Sequence, residues 1–370
     1  MNSQGKRLKP LLVYLGRRGG GLQLLLDTTY SLTQKGIPHN LIVSGIQAQR
    51  LREMGIYIDS AIFVELPHTF YEAIMPKYFY KNVTQILKLC NFSFRIRSSL
   101  IVQIMPSPFD VLIDLLAFHN SNMKVRCVHD LEPHLGERWP KGKAINFRIK
   151  LADVLVFFSS YVSDKVKYNS KFKRIVSLPY RFYGYGTISL EISEIISKSQ
   201  KSSKLTYLCI GRIHEYKGVQ LISTVSDFAK RTNFILAGSG TTTHTIPHEV
   251  IRISKWLTDS EFQDLIRVAD VLVFPYLEST QSGTIPIAIN EGKTILVADV
   301  GGLPEQILGY SKGFVFEHAN SNSFLLKLEK IQSQLETGDL DSSDAPREGI
   351  KSNATLPVII EELVSFESRI

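Results

Sequence analysis

Short runs of apolar residues recur along this 370-residue chain, and helix-forming segments separate several of them. The first run, residues 11–15, precedes a glycine-rich turn, a segment with apolar residues at helical spacing (22–34) and a second run at 41–43. Further runs follow at 61–66, 100–104, 125–128, 154–158, 205–210 and 234–237. This alternation predicts an α/β fold built on parallel sheets. The length predicts two domains, at about 100–200 residues each.

A hexapeptide repeat supports the two-domain prediction. Ala-Asp-Val-Leu-Val-Phe occurs at residues 152–157 and again at 269–274, each time where a helix runs into a buried strand. Two similar α/β domains would explain the repeat. A chance match is the alternative, because buried parallel strands use few residue types.

A polar stretch at 197–204 has the composition of an exposed connector. It places the domain boundaries: an N-terminal domain at 1–180, a linker at 181–204, a C-terminal domain at 205–346 and a last helix within 347–370.

Charge is divided unevenly between the two halves. Residues 1–150 hold 20 Lys and Arg against 10 Asp and Glu, whereas residues 151–370 hold 23 against 25. The basic first half indicates an anionic partner such as a membrane surface, a lipid-linked substrate or a nucleic acid. No apolar run reaches the length of a membrane span, and the N-terminus lacks the features of a signal peptide. Three cysteines in apolar surroundings fit reduced thiols in the cytosol.

The turn from Gly211 to Gly218 follows a buried strand and precedes a helix. Backbone N–H groups at a helix start bind anions. Arg212 adds a planar guanidinium group with several hydrogen-bond donors, and Lys217 adds a compact positive charge. Together they suit a diphosphate. The alternative is an ordinary turn carrying two solvated cations.

Three more motifs follow in order. They lie at residues 275–286 (Pro-Tyr-Leu-Glu-Ser-Thr-Gln-Ser-Gly-Thr-Ile-Pro), 292–293 (Gly-Lys) and 298–305 (Ala-Asp-Val-Gly-Gly-Leu-Pro-Glu). With the preceding turn, this order resembles the C-terminal domain of retaining GT-B glycosyltransferases of family 4, over about residues 205–310. The resemblance implies two Rossmann-like domains facing one another across a cleft, with the donor on the C-terminal domain and the acceptor on the N-terminal one.

The resemblance also implies roles for individual residues. Glu278 would lie beside the donor sugar. The positions implied to contact the rest of the donor are Arg212, Lys217, Gly238, Ser282, Gly283, Thr284 and, in the first glycine loop, Gly20 and Gly21. One departure concerns a second glutamate, which the family usually assigns to the ribose. Pro286, Ala288 or Ile289 stands there instead, which puts ribose recognition in doubt.

His129 and Asp130 follow the strand at 125–128, and residues 129–137 resemble a segment of some family members. The resemblance implies that His129 lies in the catalytic pocket, and Asp130 could orient it. A zinc site is the competing interpretation, although Pro133 would interrupt a helix that brought its ligands together. A purely structural histidine is the other alternative.

Aromatic and basic residues alternate at 77–81 and 92–97. They suit a membrane interface or a lipid-linked acceptor. Stacked nucleic-acid bases, or aromatic side chains packed inward, are the alternatives.

The resemblance thus implies a retaining, metal-independent glycosyltransferase without a cofactor. It would take a nucleotide-sugar donor and a glycan or lipid-linked acceptor in cell-surface polysaccharide synthesis, and would not bind nucleic acid. It is expected in the cytoplasm, peripheral to the inner face of the membrane. A degenerate glycosyltransferase-like binding subunit is the first alternative. An NAD-dependent oxidoreductase is the second, although the dinucleotide fingerprint is lacking.

Overall fold

A computed structural model describes residues 9–15, 20–53, 61–64, 83–89, 91–92, 98, 100–106, 113, 123–132, 142–166, 172–179, 181, 184, 186–339 and 355–367. Within these ranges the chain forms two parallel sheets, each flanked by helices.

The N-terminal sheet has seven strands in the order β3-β2-β1-β4-β5-β6-β7, with every pair parallel. Its strands are β1 (Leu11–Tyr14), β2 (Asn40–Val43), β3 (Ala61–Phe63), β4 (Leu100–Gln103), β5 (Met123–Val128), β6 (Val154–Phe157) and β7 (Phe172–Ile175). The central strands are apolar and buried on both faces, as expected for a parallel sheet covered by helices.

The C-terminal sheet has six parallel strands in the order β10-β9-β8-β11-β12-β13. They are β8 (Thr206–Ile210), β9 (Asn233–Ala237), β10 (Ile251–Ile253), β11 (Val271–Phe274), β12 (Thr294–Ala298) and β13 (Gly313–Phe316). The strand order reverses between β8 and β11, and in open α/β sheets ligands bind outside the carboxyl ends of the strands at such a point.

Helices cover both sheets. In the N-terminal half they are α1 (Gly20–Gln34), α2 (Gly45–Glu53), α3 (Gly142–Leu151) and α4 (Ser160–Lys165), with further helical residues at 83–89 and 91–92. The others are α5 (Leu190–Lys201), α6 (Val219–Ile222), α7 (Ser226–Arg231), α8 (Asp259–Val268), α9 (Thr284–Asn290), α10 (Leu303–Gln306), α11 (Ser321–Thr337) and α12 (Leu356–Glu367).

Much of the segment predicted as linker is ordered. Residues 190–201 form α5, and Ile192 is fully buried in the core of the C-terminal domain. The preceding turn is held by the same domain, because Glu261 accepts a hydrogen bond from the Ser189 backbone N–H at 3.0 Å. The Thr258 hydroxyl donates to the Thr187 carbonyl at 3.1 Å.

The final helix α12 returns to the N-terminal domain. Leu356, Ile359 and Ile360 are buried in the core that β1, β2 and α1 form. An ion pair joins Lys35, the residue after α1, to Glu361 of α12. The last helix of the chain is therefore part of the first domain.

The repeated hexapeptide performs the same local task in both sheets. The Asp153 carboxylate accepts a hydrogen bond from the Lys124 N–H at 2.7 Å, and the Asp270 carboxylate accepts one from the Thr206 N–H at 2.7 Å. Each aspartate thereby ties the start of its strand to the neighbouring strand. The two copies occupy different positions, since β6 is sixth in its sheet and β11 is fourth.

Candidate functional site at the carboxyl ends of the C-terminal sheet

Two of the sequence motifs meet at Tyr276, just beyond β11. The Lys217 ammonium lies 3.7 Å from the centre of the Tyr276 ring, a cation–π contact. The Ser282 side chain lies close to the Tyr276 phenol, and burial raises the pKa of this tyrosine, so the phenol stays protonated. Tyr276 therefore connects the 211–218 turn with the start of α9.

Backbone contacts fix the same junction. The Leu277 N–H donates to the Tyr216 carbonyl at 2.7 Å. Gly218 has φ +72°, and a Cβ there would lie 1.6 Å from the Pro275 carbonyl oxygen. Only glycine allows this approach, and the approach is what sets Lys217 over the aromatic ring.

The turns after β8 and β9 run side by side. The Ile213 N–H donates to the Ser239 carbonyl at 2.7 Å, and a Cβ on Gly238 would lie 1.7 Å from the Gly211 carbonyl oxygen. Gly238 is therefore required by the contact between the two turns. Arg212 is exposed at the tip of the first turn, and a small recess beneath it is lined by Lys217, Tyr276 and the ends of β8 and β9.

The segment before α9 is held firmly. Gln306 accepts a hydrogen bond from the Ser282 N–H at 2.7 Å and donates one to the Ser282 carbonyl at 3.1 Å. The N–H and the carbonyl of Ser282 are thus both engaged within the protein. Gly283 and Thr284 begin α9, where backbone N–H groups have no partner within the helix. Glu278, four residues before Ser282, is partly buried.

The positions where the family pattern places a second glutamate are buried. Pro286, Ala288 and Ile289 all lie among the buried residues of α9, so none of these side chains is exposed to a ligand. Glu291 caps the far end of the helix and lies 3.6 Å from Arg267. No carboxylate of α9 therefore replaces the residue that the family pattern places there.

His129 lies at the carboxyl end of β5, 7% exposed and stacked on Phe158 at 4.4 Å between ring centres. Its Nε2 is 3.0 Å from the Ile104 carbonyl oxygen, which can only accept, so Nε2 carries the proton. Nδ1 is left as an acceptor, and Gln281 Nε2 of the C-terminal domain lies 3.5 Å from it. Burial lowers the pKa of His129 and favours the neutral ring, although Asp130 acts in the opposite direction.

Other polar contacts join the two domains around this point. The Thr280 hydroxyl donates to the Asp130 carboxylate. Glu305 accepts from the Ser160 N–H at 2.8 Å and from the Ser160 hydroxyl at 2.7 Å. Both Thr280 and Glu305 belong to motifs of the C-terminal domain, so those motifs form part of the domain interface.

The first glycine loop is partly described. Gly20 is exposed at the start of α1, with open space where a Cβ would lie. Gly21 is buried, and a Cβ there would lie 2.4 Å from Met105 Cγ. Its role in the structure is close packing within the N-terminal domain.

Several predicted features lie outside the described residues. They include 133–137 of the histidine segment, the basic and aromatic residues at 77–81 and nearly all of 92–97. Among the residues that are described, no group of three His, Cys, Asp or Glu side chains could hold a metal ion. Over the same residues, no helix has both the length and the apolar character that a membrane span requires.

Sequence reasoning missed the residues that reach across the cleft, namely Thr280, Gln281 and Glu305, as well as Tyr276. Each lies inside a motif that was recognised, but the motif was assigned to the donor alone. The partners of Thr280, Gln281 and Glu305 are 145 to 152 positions away in the chain, and local patterns do not reveal such pairs.

Sequence comparison finds a family resemblance within the C-terminal part of the chain. Residues 204–334 match the profile of the family described as glycosyl transferases group 1. This range contains every motif of the C-terminal site. Comparison with curated protein sequences finds no match.

Solved structures resemble the whole chain. HepE of Anabaena in complex with UDP-glucose is 13% identical, with a TM-score of 0.66 over 98% of this chain and 100% of that one. A glycosyltransferase from Rickettsia africae is 14% identical, with a TM-score of 0.68 over 98% of each chain. TarM is 9% identical, with a TM-score of 0.69 over 98% of this chain and 99% of that one. The prediction of a GT-B fold with two Rossmann-like domains is confirmed.

Proposed function

We propose that the protein is a retaining glycosyltransferase that moves a sugar from a nucleotide-sugar donor to a glycan or lipid-linked acceptor. The convergence of Lys217, Tyr276 and Ser282 at the carboxyl edge of the C-terminal sheet carries this proposal. It supplies a fixed cation at the place where such folds bind ligands. The match of residues 204–334 to the glycosyl transferases group 1 profile supports it independently.

In this proposal Arg212 and Lys217 bind the diphosphate and stabilise the charge that develops as it departs. Preorganised charges are effective because they need no reorganisation during the reaction. The backbone around Gly238, Gly283 and Thr284 would shape the nucleotide site, with Gly20 and Gly21 opposite. His129 and Glu278 would position the donor sugar, with Asp130 supporting His129. The leaving phosphate oxygen would take the acceptor proton, so the reaction would need neither a separate base nor a metal ion.

The proposed setting is cell-surface polysaccharide synthesis at the inner face of the membrane. The excess of basic residues in positions 1–150 supports an anionic acceptor or an anionic membrane surface there. Binding to vesicles that contain anionic lipid, and its loss at high salt, would test this part separately.

The first experiment is calorimetric titration with UDP, GDP, ADP and CDP. We expect one of them to bind, and we expect the Arg212→Ala/Lys217→Ala variant to bind it at least tenfold more weakly, since two charge-assisted contacts are lost. A Lys198→Ala/Lys201→Ala variant, which removes two exposed cations from α5, is the matched control and should bind normally. If no diphosphate binds to a folded protein, the proposal fails.

Product analysis then tests the chemistry. The anomeric coupling in the NMR spectrum of the product should equal that of the donor, and activity should persist in EDTA. Inversion, or loss of activity that Mg²⁺ or Mn²⁺ restores, would contradict the mechanism while leaving the donor site intact.

A binding subunit is the second candidate, because Ala288 and Ile289 face the core where a ribose-binding carboxylate was expected. It predicts diphosphate binding without turnover of any sugar donor. Sustained transfer to an acceptor would exclude it.

A further inference from the structure

Gln281 lies where the two domains meet. Within the described residues, the nitrogen of its carboxamide has a polar contact and the oxygen has none. Its Nε2 lies 3.5 Å from His129 Nδ1, at the long limit for a hydrogen bond. Its Oε1 is buried and has no hydrogen-bond partner within the part of the chain that the structure describes. A buried amide oxygen without a hydrogen-bond partner has lost its contact with water and gained nothing in return. This conformation of Gln281 is therefore energetically unfavourable in the absence of a ligand.

The identity of each atom follows from the histidine. Because Ile104 supplies a carbonyl to Nε2 of His129, Nδ1 must accept, and the amide nitrogen of Gln281 must face it. The amide oxygen is thereby directed elsewhere. The pair thus presents an acceptor on the N-terminal domain, at Nδ1, and an acceptor on the C-terminal domain, at Oε1.

We propose that Gln281 is a specificity-determining residue, which together with His129 binds a pair of hydroxyl groups on the donor sugar. One hydroxyl would donate to His129 Nδ1 and the other to Gln281 Oε1, replacing the long contact between the two side chains. Since the two acceptors belong to different domains, the site is complete only when the domains meet. In this proposal the sugar reaches the two acceptor atoms when the domains are apart. The acceptors are shielded from water when the domains close.

This inference rests on the proposed function, because it assumes a sugar attached to the bound diphosphate. It differs from that function in assigning a sugar contact to a residue of the Ser279–Ser282 turn, for which the family pattern suggested no such role. Burial leaves the histidine suited to the task. It lowers the pKa of His129 and favours the neutral ring, although Asp130 and the hydrogen bond with Ile104 raise the pKa.

The test measures how much the sugar adds to binding. Dissociation constants are measured for UDP and UDP-glucose, GDP and GDP-mannose, ADP and ADP-glucose, and CDP and CDP-glucose. The ratio of the two constants within the binding pair isolates the sugar contribution from that of the nucleotide. We expect Gln281→Met, which keeps the length of the side chain without its polar atoms, to reduce this ratio by about tenfold. Gln281→Glu keeps an acceptor and should retain part of the ratio at pH 8.

Glu305→Ala is the matched control. It removes the cross-domain hydrogen bonds to Ser160 and leaves Gln281, His129 and Asp130 in place. It should reduce the ratio less than Gln281→Met does, and the free diphosphate should bind all variants equally. An unchanged ratio in Gln281→Met would overturn the inference alone. An equal loss in Glu305→Ala and Gln281→Met would assign the effect to domain contact and would also overturn it. If no diphosphate binds the wild-type protein, the proposed function fails and this inference fails with it.

Discussion

Replacing Glu261 with glutamine should weaken the C-terminal domain in a way that depends on pH. This carboxylate is 2% exposed at the start of α8 and lies where the interdomain segment joins the domain. It accepts hydrogen bonds from Lys255 Nζ at 2.8 Å, the Thr258 N–H at 3.0 Å and the Ser189 N–H at 3.0 Å. Glutamine has the same shape, but it carries no charge and would point an NH₂ group at one of these donors.

The lowered pKa of Glu261 determines how much unfolding free energy the carboxylate contributes. Burial alone would raise the pKa of Glu261, but its hydrogen bonds to Lys255, Thr258 and Ser189 outweigh burial and lower it from 4.5 to about 2. This lowering corresponds to about 3 kcal/mol of unfolding free energy at neutral pH. The contribution is complete above pH 4.5, the ordinary pKa, and is lost as the pH falls towards 2. At pH 3.5 about 2 kcal/mol should remain.

Urea unfolding at pH 7 and pH 3.5 measures this difference. A Trp139→Phe background leaves Trp256, next to Lys255, as the remaining tryptophan, so fluorescence reports on this domain. We expect Glu261→Gln to lower the unfolding free energy by about 3 kcal/mol at pH 7, with the gap narrowing by about 1 kcal/mol at pH 3.5. Glu191→Gln, at an exposed position of α5, should cost less than about 0.5 kcal/mol at either pH. A gap that does not change with pH would refute the electrostatic reasoning.

Two further substitutions test the junctions of the site. Gly218→Ala should destabilise the C-terminal domain by at least about 2 kcal/mol in urea unfolding and abolish diphosphate binding, because its φ is +72° and its Cβ would overlap the Pro275 carbonyl. Gly283→Ala, with ordinary φ and open space, should change stability by less than about 0.5 kcal/mol, and a similar loss in both variants would contradict the packing argument. Glu305→Ala should weaken the contact between the domains by about 2 kcal/mol, because its carboxylate no longer binds the Ser160 N–H and hydroxyl. Small-angle X-ray scattering should then show a larger radius of gyration, and an unchanged radius would argue against this role.

Local patterns were sufficient for the glycine-bearing turns and for nine of the thirteen strands in the described residues. They did not predict β7, β10, β12 or β13. Buried parallel strands appear as short apolar runs, and Gly218 marks a place where two backbones touch. The polar composition of 197–204 led to the prediction of an exposed connector. These residues include the end of helix α5, whose apolar residues come earlier in the chain. Ile192, Ile195 and Ile196 lie at helical spacing and face the C-terminal core. That spacing was the available signal.

The contacts between domains could not be predicted in the same way. Gln281 and His129 are 152 positions apart, and neither has a flanking pattern that names the other. The hexapeptide repeat shows a related limit. Each copy of the repeat marks the start of a strand that an aspartate fixes to its neighbour. However, β6 and β11 occupy different places in their sheets, so the repeat does not mark equivalent strands of the two domains.

The position of α12 has a consequence for the order of folding during synthesis. Leu356, Ile359 and Ile360 fill the core of the first domain, yet the ribosome makes them after the whole second domain. The second domain can therefore complete its core while the first still exposes the apolar surface that α12 covers. Closing a contact over such a sequence separation is slow, and an exposed core surface favours aggregation in the meantime. A chain that stops after residue 339 would keep its candidate donor site but release a first domain that is permanently incomplete.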